Sequence, residues 1–195
     1  MHAKWSVLVV ASVFLLVGAL FAREKPQKNT GQNMLSATDQ TFITHAAEAN
    51  LAEIETAKMV KQKSTDPAVK DFADRMITDH AHANQSLATL AETSRAKLPS
   101  QPSAAERNQK DELQKLSGVK LNDAYLRDEL QGHKQVISEF EDEIEHGQDQ
   151  GVKSYAERTL PTLQDHIRIA ENLSGKMGMA GKAGLTDEAK AITAK

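Results

Sequence analysis

The sequence predicts an all-α fold: an up-down bundle of four long helices, with a long crossover carrying a short extra helix between the second and third. Three observations carry that prediction. Apolar residues recur at alternating steps of three and four along four long stretches, the period of a helix buried on one face. No stretch reads as a strand. And the chain repeats itself with a shift of 83 residues.

The first 22 of the 195 residues stand apart from this pattern. Residues 5–22, WSVLVVASVFLLVGALFA, form one uncharged apolar run, preceded by Lys4 and followed by Arg23, Lys25 and Lys28. This reads as a secretory signal with a small-residue cleavage site at Val17-Gly18-Ala19. Its length is also close to the ~20 residues that span a bilayer, so an uncleaved inner-membrane anchor is the competing reading. Residues 23–37 are polar, contain Pro and Gly, and read as a linker. The bundle is expected over residues 38–177, and residues 178–195, rich in Gly, Ala and Lys, as a flexible tail.

Within the bundle, the first helix is expected from about Thr38 to Ser64, with Thr38 or Asp39 as N-cap. The second opens at Asp66-Pro67, an N-cap followed by proline at the first helical position, and runs to about Leu98. Pro99 and Pro102 then break the chain. Ser103-Ala-Ala-Glu106 is a capping box, so a short helix is expected over residues 104–117. The third long helix runs from about Asn122 to His146, before Gly147, and the fourth from near Asp149 to Gly175. Pro161 inside it predicts a kink or bulge.

The repeat arranges these helices in pairs. Phe42 and Phe72 are 30 residues apart, as are Tyr125 and Tyr155. A shift of 83 overlays Asp66 on Asp149, Val69-Lys70 on Val152-Lys153 and Arg75 on Arg158. Asp79-His80 meets Asp165-His166 only if three residues are inserted. Two related hairpins joined by one long connection is the topology of ferritin-like bundles.

Composition narrows the function. There is no cysteine, hence no disulfide, lipid-modified cysteine or thiol nucleophile. Lys and Arg number 24 against 27 Asp and Glu, and no basic stripe stands out; nucleic-acid partners are not expected, because clustered cations carry that affinity. Phosphate-binding Gly loops, Gly-x-Ser-x-Gly and His-Glu-x-x-His are absent. No catalytic residue is assigned, and protein partners are not identified beyond an association with the cell envelope.

What remains is chemistry inside the bundle. The predicted seams are Val69, Phe72, Met76, His80, Ala83 and Leu87 in the second helix, Leu126, Leu130, His133, Ile137 and Phe140 in the third, and Tyr155, Thr159, Leu163, His166 and Ala170 in the fourth. The first helix contributes Phe42, Ala46, Ala49, Glu53, Ala57 and Val60. Each seam thus carries one ionisable residue. Counted from the turns at 1.5 Å per residue, Glu53, His80, His133 and His166 lie within roughly 9 Å of one level. Buried polar groups need a partner or a metal, and imidazole with carboxylate suits iron, manganese, zinc or copper. His80, His133, His166 and Glu53 are therefore candidate metal ligands. Asp79 joins them as a ligand or as an acceptor that orients an imidazole. The bland alternative is a set of core histidines satisfied by carbonyls and carboxylates. His45 and His82 are expected in solvent. Glu143-Ile-Glu-His146 has a Glu-x-x-His spacing but reads as a solvated helix end, where a histidine suits the dipole. Met177 and Met179 offer a weak soft site for copper.

The stretches DQTFITHAAEANLAEIETAKMV, DPAVKDFADRMITDHAHANQSL, NDAYLRDELQGHKQVISEF and GVKSYAERTLPTLQDHIRIAENL together resemble a bacterial exported family, domain of unknown function 4142, also described as predicted outer-membrane proteins. The resemblance spans residues 38–175. It rests on Asp79-His80 after Phe72-Ala73, on His133 eight residues after Tyr125, and on Leu160-Pro161 ahead of His166. It implies a ferritin-like fold and an envelope or periplasmic location, and no established activity. The chain departs from ordinary ferritins in lacking paired mid-helix Glu-x-x-His motifs. The expectation is an exported bundle that binds a transition metal through core histidines, with a non-catalytic structural or interaction module of the envelope as the alternative.

Overall fold

The computed structural model describes residues 35–193, with side chains as far as Lys176. The apolar N-terminal run, the first part of the linker and the Met177/Met179 side chains lie outside the described residues. Among those described, no helix is long and apolar enough to cross a membrane.

The described chain is all-helical, in the order α1 (Ala37–Lys63), α2 (Pro67–Ser94), α3 (Ala104–Gln114), α4 (Gly118–His146) and α5 (Gln150–Thr193). Short turns make two hairpins, α1 with α2 and α4 with α5, and these form the most extensive helix pairs. The hairpins meet where α2 packs on α5 and α1 on α4, and α3 lies against α1 and α4.

Local chemistry sets the helix starts. Ser36 caps α1 by accepting from the Asp39 amide at 3.1 Å, a few residues earlier than the expected Thr38 or Asp39. Asp66 caps α2, accepting from Ala68 and Val69 ahead of Pro67. Ser103 and Glu106 close the expected capping box on α3. Two ends differ from expectation. The second helix stops at Ser94, because Arg95 takes a left-handed conformation (φ 57°) that sends Ala96 and Leu98 back onto the core. The third long helix, α4, begins at Gly118 rather than near Asn122, and Leu121 and Asn122 are already buried within it. In α5 the backbone stays helical through Thr193, where a loose tail was expected; alanine, lysine and glutamate in that segment favour helix.

Pro161 does not interrupt α5. It is exposed, as is Glu157, whose carbonyl it leaves without an amide partner; water can satisfy that carbonyl, so the helix survives. With α5 continuous, the shift of 83 holds along the whole seam and no insertion is needed. Phe42 packs against Tyr155 and Phe72 against Tyr125, at centroid distances of 6.3 and 5.9 Å. These two contacts exchange under the repeat, since 42 pairs with 125 and 72 with 155.

The interior divides into two apolar clusters. One gathers Ala57, Val60, Val69, Phe72, Met76, Leu121, Tyr125, Leu126 and Ala170. The other gathers Phe42, Ile43, Ala46, Leu87, Phe140, Val152, Tyr155 and Leu163. In each long helix the chain passes from one cluster to the other across a polar step: Asn50 and Glu53, His80, Glu129 and His133, His166. These residues form a polar layer between the two apolar halves.

Candidate metal centre

The polar layer holds three histidines from three helices, all buried: His80 from α2, His133 from α4 and His166 from α5. Their ring centroids are 5.2–5.7 Å apart. They form one of two groups of potential metal ligands among the described residues.

Each imidazole is fixed from behind. Asn50 gives its amide to the Tyr155 hydroxyl at 3.3 Å, which turns Asn50 Oδ1 towards His80; His80 Nδ1–H donates to it at 2.8 Å. His133 Nδ1–H donates to the backbone carbonyl of Glu129 at 3.0 Å. His166 Nε2–H donates to Asp79 Oδ2 at 2.9 Å. Asp79 is itself held by Arg75 Nε at 3.2 Å, and Arg75 reaches across to Asp165 at 2.9 Å. With a partner on one nitrogen, the tautomer of each ring follows. The remaining nitrogens, His80 Nε2, His133 Nε2 and His166 Nδ1, carry lone pairs.

Each ring offers a nitrogen within 4.8 Å of those of the other two. His133 Nε2 and His166 Nδ1 are 3.1 Å apart. Two nitrogens bound tetrahedrally at ~2.05 Å would be roughly 3.3 Å apart. His80 Nε2 is buried without any hydrogen-bond partner. Burial, and then the neighbouring imidazoles, hold His80 well below the ordinary histidine value. The same causes bring His133 down to about 3. Burial also lowers His166, against the pull of Asp79. The rings are therefore neutral at pH 7, the state in which imidazole ligates a metal.

The structure separates the expected ligands into roles. His80, His133 and His166 converge. Asp79 stands behind His166, on the side away from the other rings, and orients it. Glu53 belongs to the second group, with Glu129 and His133. Residue 53 is half-buried, and burial raises its carboxyl group to about 7. Burial and the Glu53 charge raise Glu129 well above the ordinary carboxylate range.

Two residues of the layer were not expected, Asn50 and Glu129. Asn50 lies 83 residues before His133, so the repeat places it at the equivalent position in α1. Glu129 precedes His133 by four residues, one turn along the same face. His45 and His82 are exposed, as expected. The Glu143–His146 segment differs from its reading as a solvated end: His146 is exposed, but Glu143 is buried against Asp39. Burial, then the Asp39 charge, raises Glu143 to about 7. Gly147 makes this possible, because a Cβ there would lie 2.0 Å from Glu143 Oε1.

Residues 24–173 match the profile of the family described as domain of unknown function DUF4142. The chain belongs to the DUF4142 family. No curated protein is significantly similar to this DUF4142 chain. Among solved structures it is similar to a DUF305 fragment from Deinococcus radiodurans, with a TM-score of 0.65 and 14% identity over 73% of this chain and 99% of that one. It is also similar to a DUF305 protein from Streptomyces coelicolor, described as a candidate secreted protein, with a TM-score of 0.62 and 15% identity over 72% and 94% of the two chains. At these identities the likeness speaks for the helical fold that DUF4142 and DUF305 share.

Proposed function

We propose that this DUF4142 chain is an exported metal-binding protein, a ferritin-like four-helix bundle with a long crossover, whose ion is held by His80, His133 and His166. One observation carries the reading: three buried lone pairs converge, while the opposite nitrogen of every ring is tied to an acceptor. Backing of each ligand histidine by a carbonyl or carboxylate is the usual support of a metal site. Three neutral imidazoles suit zinc, copper or iron, and manganese less, since manganese favours oxygen. Asp79 supplies negative charge next to His166 and partly offsets the charge of the ion. Export is supported by the apolar run over residues 5–22 and by the description of the Streptomyces relative.

The alternative, a structural module of the envelope, is favoured by the 3.1 Å contact between His133 and His166, a distance at which one ring could donate to the other. That arrangement would need one ring to give up its anchored tautomer, and it leaves His80 Nε2 unsatisfied. Elemental analysis of protein purified without chelator or affinity tag separates the two. Near one ion per chain, lost in a helical His80→Ala, His133→Ala, His166→Ala variant, supports the metal site. A parent that stays metal-free after incubation with ferrous, manganous, zinc and cupric ions supports the structural module.

A further inference from the structure

Glu53 and Glu129 face each other beside the histidine cluster, and the arrangement is open to solvent on one side. A cleft of about 450 Å³ runs between α1, α3 and α4 and reaches both residues. Six carboxylates line it: Glu48, Glu53, Glu106, Asp128, Glu129 and Glu139. No lysine or arginine does. Such a cleft concentrates cations, because a wall of one charge sign focuses its field into the opening.

At its inner end one carboxylate oxygen is without a partner. Glu129 is 4% exposed, and its Oε2 has no hydrogen-bond partner. The Tyr125 hydroxyl, 0% exposed and close to Glu129, is a potential donor to that carboxyl group. Glu53, Glu129 and His133 each present a potential ligand atom, all within 4.8 Å of one another. His133 Nδ1 lies 3.3 Å from Glu129 Oε2, but its proton is engaged by the Glu129 backbone carbonyl at 3.0 Å. The same residue thus holds His133 with its main chain and leaves its carboxylate available to another group. A buried acid that faces a half-buried one is stabilised either by sharing a proton with it or by binding a cation between them.

We propose that Glu53 and Glu129 form a second cation site, distinct from the three-histidine site and entered through the acidic cleft. Two carboxylates completed by water from the cleft are an oxygen donor set, which suits a hard divalent ion such as manganous ion. The histidine site alongside takes a softer one. The proposal deepens the metal-binding reading but stands on different atoms, so each can fail alone.

The test uses the protein loaded with one equivalent of zinc and titrated with manganous ion, bound manganese being read from the loss of the free-ion electron paramagnetic resonance signal. Glu53→Gln/Glu129→Gln keeps the shape of both side chains and removes the charges, so it retains the fold; circular dichroism verifies this. The parent is expected to bind one manganese per chain, the double glutamine variant none while keeping its zinc, and His80→Ala/His166→Ala one manganese but no zinc. A parent that takes up no manganese, or a glutamine variant that takes up as much as the parent, overturns the second site and leaves the pair sharing a proton. A parent that holds no zinc defeats the histidine reading instead, and the manganese counts still decide this one.

Discussion

Acid is the perturbation to which the polar layer should respond most distinctively, because its two kinds of acid–base group oppose each other. Consider the metal-free protein. The three histidines are held neutral by burial, so their folded values lie below the unfolded one of 6.5. Below pH 6.5 the unfolded chain takes up protons that the folded chain refuses, and stability falls. For His133, brought from 6.5 to about 3, the full loss is about 5 kcal/mol. The glutamates work the other way. Glu53 and Glu143 are raised from 4.5 to about 7, and Glu129 well above 4.5. Between pH 4.5 and 7 the folded chain holds protons that the unfolded chain has released, so these groups favour folding as pH falls. For Glu53 this is worth about 3 kcal/mol. Between pH 4.5 and 6.5 the histidine and glutamate contributions therefore oppose each other. Below 4.5 the glutamates are protonated in both states and the histidine loss remains, at up to about 3 kcal/mol per pH unit for the protons refused by His80 and His133. Urea unfolding followed by circular dichroism in chelator, from pH 3.5 to 7.5, should give a plateau and then a steep acid edge. Glu129→Gln should add about 1–3 kcal/mol at pH 7 and nothing at pH 4.5, since it removes the proton uptake that folding requires. A stability that declines steadily from pH 6.5, or one that is level between pH 4.5 and 3.5, would refute this account.

Three further outcomes follow from particular contacts. Asn50→Ala leaves His80 Nδ1 without its acceptor and the Tyr155 hydroxyl without the Asn50 amide; it should cost about 1–3 kcal/mol in chemical unfolding and weaken metal binding by roughly 10–100-fold in calorimetric titration. Gly147→Ala drives a methyl group into Glu143, including its backbone carbonyl at 2.6 Å, and should lower stability by about 1–3 kcal/mol in thermal unfolding; an unchanged Tm would mean that the turn has room. Asp66→Ala removes the side-chain acceptor for two amides at the start of α2 and should cost about 1 kcal/mol, whereas Asp66→Asn should cost much less.

The periodicity of the sequence exposes most of the frame and the heart of the site. The seam positions of Phe42, Phe72, Tyr125, Phe140 and Tyr155 are all buried, and His80, His133 and His166 meet. What stays hidden has one cause: apolarity is the means of finding the buried face, so a buried polar residue is passed over in favour of an apolar neighbour. In α1 the reading chooses Ala49, while the buried residue is Asn50. In α4 it chooses Leu130, which is half-buried, over Glu129, which is buried. Steps of three and four allow either path, and only side-chain contacts distinguish them. The internal repeat held the missing information for Asn50, because a residue 83 positions before a core histidine belongs in the core too. Glu143 is hidden for a different reason. Its partner Asp39 is 104 residues away, and no local pattern marks a carboxyl pair that closes the end of a bundle.

The three converging histidines are divided between the hairpins: His80 comes from the first, His133 and His166 from the second. Neither half alone can present three nitrogens to one ion. An ion bound there acts as a clasp between two otherwise separately wound pieces of chain, and it favours the docked state by an amount that grows with the logarithm of its concentration. The converse concerns time. With all three rings buried, an ion can leave only when the halves part or a path through the packing opens, so its residence time measures how often the two hairpins come undone.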